Sequence, residues 1–307
     1  MRTIAIHTSK GGVGKTTLVI NLAYELAKLN YRVLVVDLDD QANASLSLGV
    51  NEADKLDKAS SFEEFKIILE TFKHRKELID FLCDYELPSF DYQEYIRPSA
   101  LNADLEDIST RSGIIDVLSG SYRTTDKAIS NLLMPQTRLD TALQTPGIAN
   151  NYDYVIIDTP PSSTDIAKGG LIAAQYLLIP TQLEYLSVYG INTPLDFMRR
   201  VRQQFKHQRG MVLGIVPMMT QKRSRLNSMV RKLLEKRLET EDNIPILPEI
   251  HRSDYISQAS RARKPISLFA QQQSKAENIA EEFIELTQKI LERIEVIEKD
   301  NKNDGRF

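Results

Sequence analysis

Residues 3–17 read TIAIHTSKGGVGKTT. The apolar run Thr3–His7 leads into glycines and lysines, and leucines then recur at helical spacing at Leu18, Leu22, Leu26 and Leu29. A glycine loop between a strand and a helix restricts the fold more than any other feature of this chain. Gly11, Gly12 and Gly14 let the backbone curl, with Val13 between them, so that successive N–H groups point inward at an anion. The helix that follows adds the positive end of its dipole. In such a phosphate loop Lys15 bridges the β- and γ-phosphates of a nucleotide, the Thr16 hydroxyl ligates Mg2+, and Thr17 reaches the α-phosphate. The usual GxxxxGK[ST] pattern would put its first glycine at Ser9, so this loop is a variant. One lysine suffices for that pattern, which leaves Lys10 unexplained. On the rising side of the loop its side chain points away from its own nucleotide. It would meet phosphate if a second subunit brought its nucleotide face to face.

The alternation continues. Arg32–Asp37, Tyr154–Asp158, Tyr176–Pro180, Met211–Pro217 and the short Ile244–Leu247 are apolar runs separated by helical patterns. Continuous apolar strands indicate a sheet buried on both faces. The predicted fold is α/β: a mostly parallel twisted sheet flanked by helices on both faces, as in P-loop NTPases, forming one domain over residues 1–307. Residues 50–130 interrupt the pattern and read as a helical insertion. Ser61-Phe-Glu-Glu64 resembles a capping box, the following helix runs through Phe65, Ile68, Leu69 and Phe72, and further apolar positions fall at Leu78, Ile79, Phe81 and Leu82. Tyr95–Pro98 reads as a return to the sheet as an edge strand. Ser274–Asp300 is one amphipathic helix with Ile279, Phe283, Leu286, Ile290, Ile294 and Ile297 on one face and a mainly acidic opposite face, and Asn301–Phe307 reads as a frayed tail.

With 307 residues, 42% of them hydrophobic, the chain can bury a large core. The single cysteine, Cys83, excludes an internal disulfide or a cysteine-rich metal cluster and reads as a small buried hydrophobe. No apolar stretch is long enough to cross a bilayer and no signal peptide is visible, so a cytoplasmic protein is expected. Asp37, Asp39 and Asp158 each fall at or just beyond the end of a strand, on the edge where open α/β sheets bind ligands. A nucleotide with Mg2+ needs one carboxylate to hold the metal through a water, a role that suits Asp158, and another to orient the attacking water.

These residues resemble the ParA/MinD family of deviant Walker A ATPases, and most closely its ParA-type partition members. The resemblance rests on Lys10-Gly-Gly-Val-Gly-Lys-Thr-Thr17, Val36-Asp-Leu-Asp-Asp-Gln-Ala-Asn-Ala-Ser45, Tyr152-Asp-Tyr-Val-Ile-Ile-Asp-Thr-Pro-Pro161, Pro180-Thr-Gln-Leu-Glu-Tyr185, Leu213-Gly-Ile-Val-Pro217 and Arg263-Lys-Pro-Ile266. It spans residues 1 to about 270. The usual ParA form has proline where this chain has Asp40 and glycine where it has Ala42. The resemblance implies a slow Mg2+-dependent ATPase that forms a homodimer around two ATP molecules, with Lys10 crossing to the partner's phosphates. Asp39 then orients water, Asp37 supports the magnesium site, and Pro217 and Met218 lie against adenine.

Between Arg199 and Arg237 there are twelve Lys/Arg and one acid, Glu235, a local charge of +11 in a chain of net charge -3. Such segregation marks a polyanion surface. Phe205 is the one aromatic residue there, which argues against stacking on single strands, and no helix-turn-helix or zinc spacing supports sequence reading. Arg223, Arg225, Arg231, Lys232 and Lys236 are the candidate contacts to non-specific duplex DNA, whereas Arg199–Arg209 is read as more structural, its start facing the acidic last helix. The resemblance adds a ParB-like or adaptor protein that stimulates hydrolysis, and a cytoplasmic, nucleoid-associated location. The chain begins at its first strand, so no DNA-reading domain is expected ahead of it. A MinD-like membrane-associated ATPase is the alternative. That group ends in a basic amphipathic helix and this last helix is acidic, so no membrane partner is expected. A metabolic relative is a third reading, with no second substrate pocket legible.

Overall fold

The computed structural model describes residues 1–50, 59–73, 75–105, 113–121, 123–185, 190–204, 209–239 and 244–303. Its frame is an eight-stranded sheet in the order β3-β4-β2-β5-β1-β6-β7-β8. The strands are β1 (Arg2–Ile6), β2 (Arg32–Asp37), β3 (Ile96–Pro98), β4 (Ile114–Leu118), β5 (Tyr154–Asp158), β6 (Tyr176–Thr181), β7 (Met211–Thr220) and β8 (Ile250–His251). All neighbours pair in parallel except β3, which runs antiparallel to β4 at one edge. Every residue of β5 and β6 is buried, as a strand covered on both faces requires.

Two apolar layers form the core. On one face the phosphate-loop helix Lys15–Lys28 packs with the last helix, Glu277–Asn303, whose Ile279, Phe283, Leu286, Ile290, Ile294 and Ile297 are all buried. The other face is covered by helices Pro135–Leu143, Asp165–Ala173, Asn192–Gln204 and Arg225–Glu239. At its far end the last helix is pinned to β1. Arg2 donates from Nε and an Nη to the two carboxylate oxygens of Glu298 at 2.7 and 3.0 Å, and Glu298 also accepts from the Tyr176 hydroxyl.

Several expectations change. Residues 50–130 are not helical throughout: Ile114–Leu118 is an interior strand between β2 and β3. Its pattern, Ile-Ile-Asp-Val-Leu, is too short to separate a strand from a buried helical turn. Tyr95–Pro98 does join the edge. Ile244–Leu247 is no strand. Only Ile246 bridges to Ile215, and the eighth strand is Ile250–His251. The Ser61 hydroxyl accepts from the Glu64 amide, but the Glu64 carboxylate returns to Ser60 rather than to Ser61. The side chains of Leu69 and Phe72, together with residues Phe205, Lys206 and 304–307, lie outside the described parts. Asn301 and Lys302 continue the last helix instead of fraying. Cys83 is exposed on helix Leu78–Asp84, because Leu78, Ile79, Phe81 and Leu82 take the inward face.

Candidate nucleotide site

The phosphate loop rises from β1, near the middle of the sheet. Gly12 and Gly14 have φ of +71° and +90°, the left-handed region in which glycine carries no steric cost. The helix begins at Lys15, so its free N–H groups open into the loop. Lys15 is 8% exposed, and burial lowers its pKa against the opposing pull of Asp158 and Asp39. Those two carboxylates mark what the ammonium faces.

β5 lies between β1 and β2, so β1 and β2 are not neighbours, and the parallel register sets Asp37 directly beside Asp158. Both are fully buried. Burial pushes Asp158 up to about 8, with the Asp37 charge adding to the rise, and pushes Asp37 up to about 6. Their surroundings differ. Asp37 Oδ2 accepts from the Ser45 amide at 2.8 Å and the Ser45 hydroxyl at 2.7 Å, and Oδ1 accepts from the Asp39 amide at 3.2 Å. Its carboxylate therefore shapes the segment that follows β2. Asp158 Oδ2 accepts from the Thr16 hydroxyl at 2.8 Å, while Oδ1 is buried with no partner among the described residues. An orphaned carboxylate oxygen beside a threonine hydroxyl, at a loop built for phosphate, is a donor set of the hard-oxygen kind that suits Mg2+. Asp39 is partly exposed and caps its own turn, accepting from the Gln41 amide. Asp40 is exposed and accepts from the side chain of Gln41.

Lys10 leaves the loop on its outer side. Its Nζ donates to Glu184 at 2.6 Å and to Gln182 at 3.3 Å, and the side chain is 43% exposed. Gln182 in turn reaches Gly12 O and the Met219 sulfur. The segment after β6 thus braces the loop. Sequence reading singled out Pro180–Tyr185 as a motif but gave it no role. His7 was also missed. Thr159 donates its hydroxyl proton to Ile6 O, so His7 Nδ1–H donates to Thr159 Oγ1 at 2.8 Å. Burial, and then Lys15, lower His7 to about 4, so it is neutral at neutral pH. Nothing in the spacing of a lone histidine announces that role.

At the base end, Met218 is 2% exposed and its methyl lies 3.1 Å from the place where a Cβ on Gly14 would sit. Met218 supports the loop from beneath, and Pro217 lies in β7 beside Thr181. Met219, with φ of +55°, is the exposed methionine. A hollow of about 370 Å³ beyond it is lined by Thr220, Gln221, Lys222, His251, Arg252 and Asp254, and the Thr220 hydroxyl is buried there with no partner among the described residues. Residues 251–254 were outside the predicted set.

The basic helix Arg225–Glu239 stands on one flank of the sheet. Arg223, Arg225, Lys232 and Lys236 are exposed. Arg231 is committed internally, to Glu235 at 2.9 Å and Glu249 at 3.6 Å. Leu226, Met229 and Leu233 are exposed among these cations. Among the described residues no helix is long and apolar enough to cross a membrane.

Residues 1–209 match an AAA-domain family, AAA_31. The chain is 30% identical over 272 residues to the sporulation initiation inhibitor protein Soj of Bacillus subtilis, covering 87% of this chain and 90% of Soj. It is 28% identical over 269 residues to the chromosome partitioning protein ParA of Caulobacter vibrioides, covering 88% and 87%. Its fold is similar to that of a Cyanothece McdA variant in complex with ATP, with a TM-score of 0.70 at 18% identity over 94% of this chain and 96% of that one. With the phosphate loop, the strand-end carboxylates and the outward lysine in place, the chain belongs to the ParA/MinD family of P-loop ATPases.

Proposed function

We propose that this chain is a ParA-type partition ATPase, which binds ATP with Mg2+, closes as a homodimer around two nucleotides, holds non-specific duplex DNA, and lets go when a partner protein stimulates hydrolysis. The observation that carries this reading is the position of Lys10. A cation beside a phosphate loop that faces outward and is held by an exposed glutamate has no duty toward its own nucleotide. A second copy facing the loop would receive it. Kinship with Soj and ParA supports the same reading.

In this reading Lys15 and the loop amides hold the triphosphate. Thr16 and Asp158 would hold Mg2+, which would supply positive charge to the triphosphate, and Asp37 keeps the 38–45 segment folded around the site. Asp39, the least buried of the three acids, orients water toward the γ-phosphate. Hydrolysis is slow until the partner copy's Lys10 supplies positive charge, so turnover times the association. Arg223, Arg225, Lys232 and Lys236 give the DNA surface its charge, and binding there falls steeply with salt. The cargo is a plasmid, a chromosome region or another body moved over the nucleoid.

Lys10→Ala tests the reading. It is expected to keep ATP binding within a few-fold and to abolish ATP-dependent dimerisation in analytical ultracentrifugation. A variant that dimerises normally with ATP overturns it.

A further inference from the structure

A second site lies at the opposite edge of the sheet. Where β7 begins, a cavity of about 260 Å³ opens between helix Asn192–Gln204, which covers one face of the sheet, and the last helix, which covers the other. Arg199 and Arg202 reach it from the first helix and Arg293, Asp300 and Asn301 from the second. Among the described residues the Nε–H groups of Arg202 and Arg293 are buried with no acceptor, and neither guanidinium has an ion-pair partner. Asn301 is 6% exposed, and no hydrogen bond of its side-chain amide to the protein is seen among the described residues. Two guanidinium groups from opposite layers, each with its Nε–H buried and unsatisfied among the described residues, and the amide of Asn301 gather donors in a cavity whose lining holds one carboxylate, Asp300. Buried donors left unsatisfied are costly, and the oxygens of a ligand would relieve that cost.

The wall itself is built tightly. Gly210 has φ of +78°, and a Cβ there would come within 2.7 Å of Met198 O and 2.8 Å of Arg202 N. The backbone at β7's entry therefore lies flush against the helix that presents Arg202. Met211 and Ile297 give the cavity an apolar side. The volume is below the ~300–1,000 Å³ of sites for drug-sized ligands.

We propose that this cavity binds a small phosphorylated, hydroxyl-bearing molecule, with Arg202, Arg293 and Asn301 donating to the phosphate and Asp300 accepting from a hydroxyl. Arginine forks suit phosphate oxygens in paired contacts. The site is independent of the nucleotide loop and of the partition reading. A bound ligand would join the two helical layers, so its signature is a phosphate-dependent gain in thermal stability.

The test fills the nucleotide site first, with Mg2+ and a saturating non-hydrolysable ATP analogue. The melting temperature is then followed against inorganic phosphate, glycerol phosphate and potassium chloride at matched ionic strength. The wild-type chain is expected to respond to both phosphates and not to chloride, with glycerol phosphate the tighter. Arg202→Gln/Arg293→Gln is expected to weaken that response at least tenfold while analogue binding is unchanged. Arg202→Lys, which keeps the charge and removes the fork, should fall between and guards against a folding defect in the double variant. No phosphate-specific response in the wild-type chain overturns the proposal, as does an equal response in the double variant. Duplex DNA is titrated in parallel. A double variant that loses DNA affinity but keeps its phosphate response would assign these arginines to a polyanion surface instead, which also overturns it.

Discussion

Two loops leave the sheet on the same edge, after β1 and after β2, yet they are built in opposite ways. The segment after β1 is made of glycines and two lysines, and it turns through left-handed backbone at Gly12 and Gly14 without steric cost. β2 ends in Asp37, and the segment after it carries Asp39 and Asp40. It turns through the same backbone region at Ala42, with φ of +50°, where a side chain is disfavoured by roughly 1–2 kcal/mol. The first loop offers donors and must stay open. The second is held shut from inside, by Asp37 accepting from Ser45 and from the Asp39 amide. A loop suited to an anion thus has a backbone free to curl, whereas the loop that carries Asp39 has a backbone tied down, even though it contains a strained residue.

The largest way to break this contrast is Asp39→Asn. If the tied loop exists to aim one acid, hydrolysis should fall by about two to three orders of magnitude while ATP binding and ATP-dependent dimerisation persist. A variant that loses nucleotide affinity instead would return Asp39 to a structural role. The next effect concerns the carboxylates between the loops. Asp37 and Asp158 are raised to about 6 and about 8, above the ordinary value of about 4. At low pH both are protonated in the folded and unfolded chains and cost nothing. As pH rises from about 4 toward 8, the unfolded chain ionises freely and the folded one resists, so the nucleotide-free protein should lose stability across that window. Asp158→Asn should flatten the profile in denaturant titrations at pH 5 and pH 8, and an unchanged slope would show that the burden lies elsewhere.

A smaller effect sharpens the open loop. Glu184→Gln removes the anchor of Lys10 and should tighten ATP-dependent self-association by about two- to five-fold, because an exposed ion pair contributes no more than about 1 kcal/mol. Weaker association on sedimentation would mean that Glu184 serves the dimer rather than restraining the lysine before it. The smallest effect falls on the tied loop. Ala42→Gly should raise stability by about 0.5–1 kcal/mol in urea unfolding, by relieving the left-handed alanine. A loss would show that the buried methyl outweighs the strain.

The glycine loop could be read directly because every part of its chemistry is local: strand, turn and helix within fifteen residues. The same holds for Asp158, which ends a run of apolar residues too regular to be anything but a strand. What could not be read was pairing at a distance. β5 between β1 and β2 places Asp37 against Asp158 across some 120 residues, and no spacing encodes that register. β4 went unseen inside the presumed helical insertion because its five residues carry an aspartate, Asp116, that bonds the Tyr152 hydroxyl instead of facing water. Met218 and Met219 are alike as letters, and only the backbone turn at Met219 decides which one is exposed. Arg231 and Lys232 are adjacent cations in the sequence, and Glu249, from beyond the helix, lies beside the first of them alone.

The clamp between Arg2 and Glu298 bears on how the molecule can be handled. It draws the start of the first strand and the end of the last helix together at the floor of the sheet, away from the nucleotide. A fluorescent reporter joined ahead of Met1 would emerge on that floor and leave the nucleotide face clear. A linker that pulls Arg2 out of register would loosen β1 and the last helix at once.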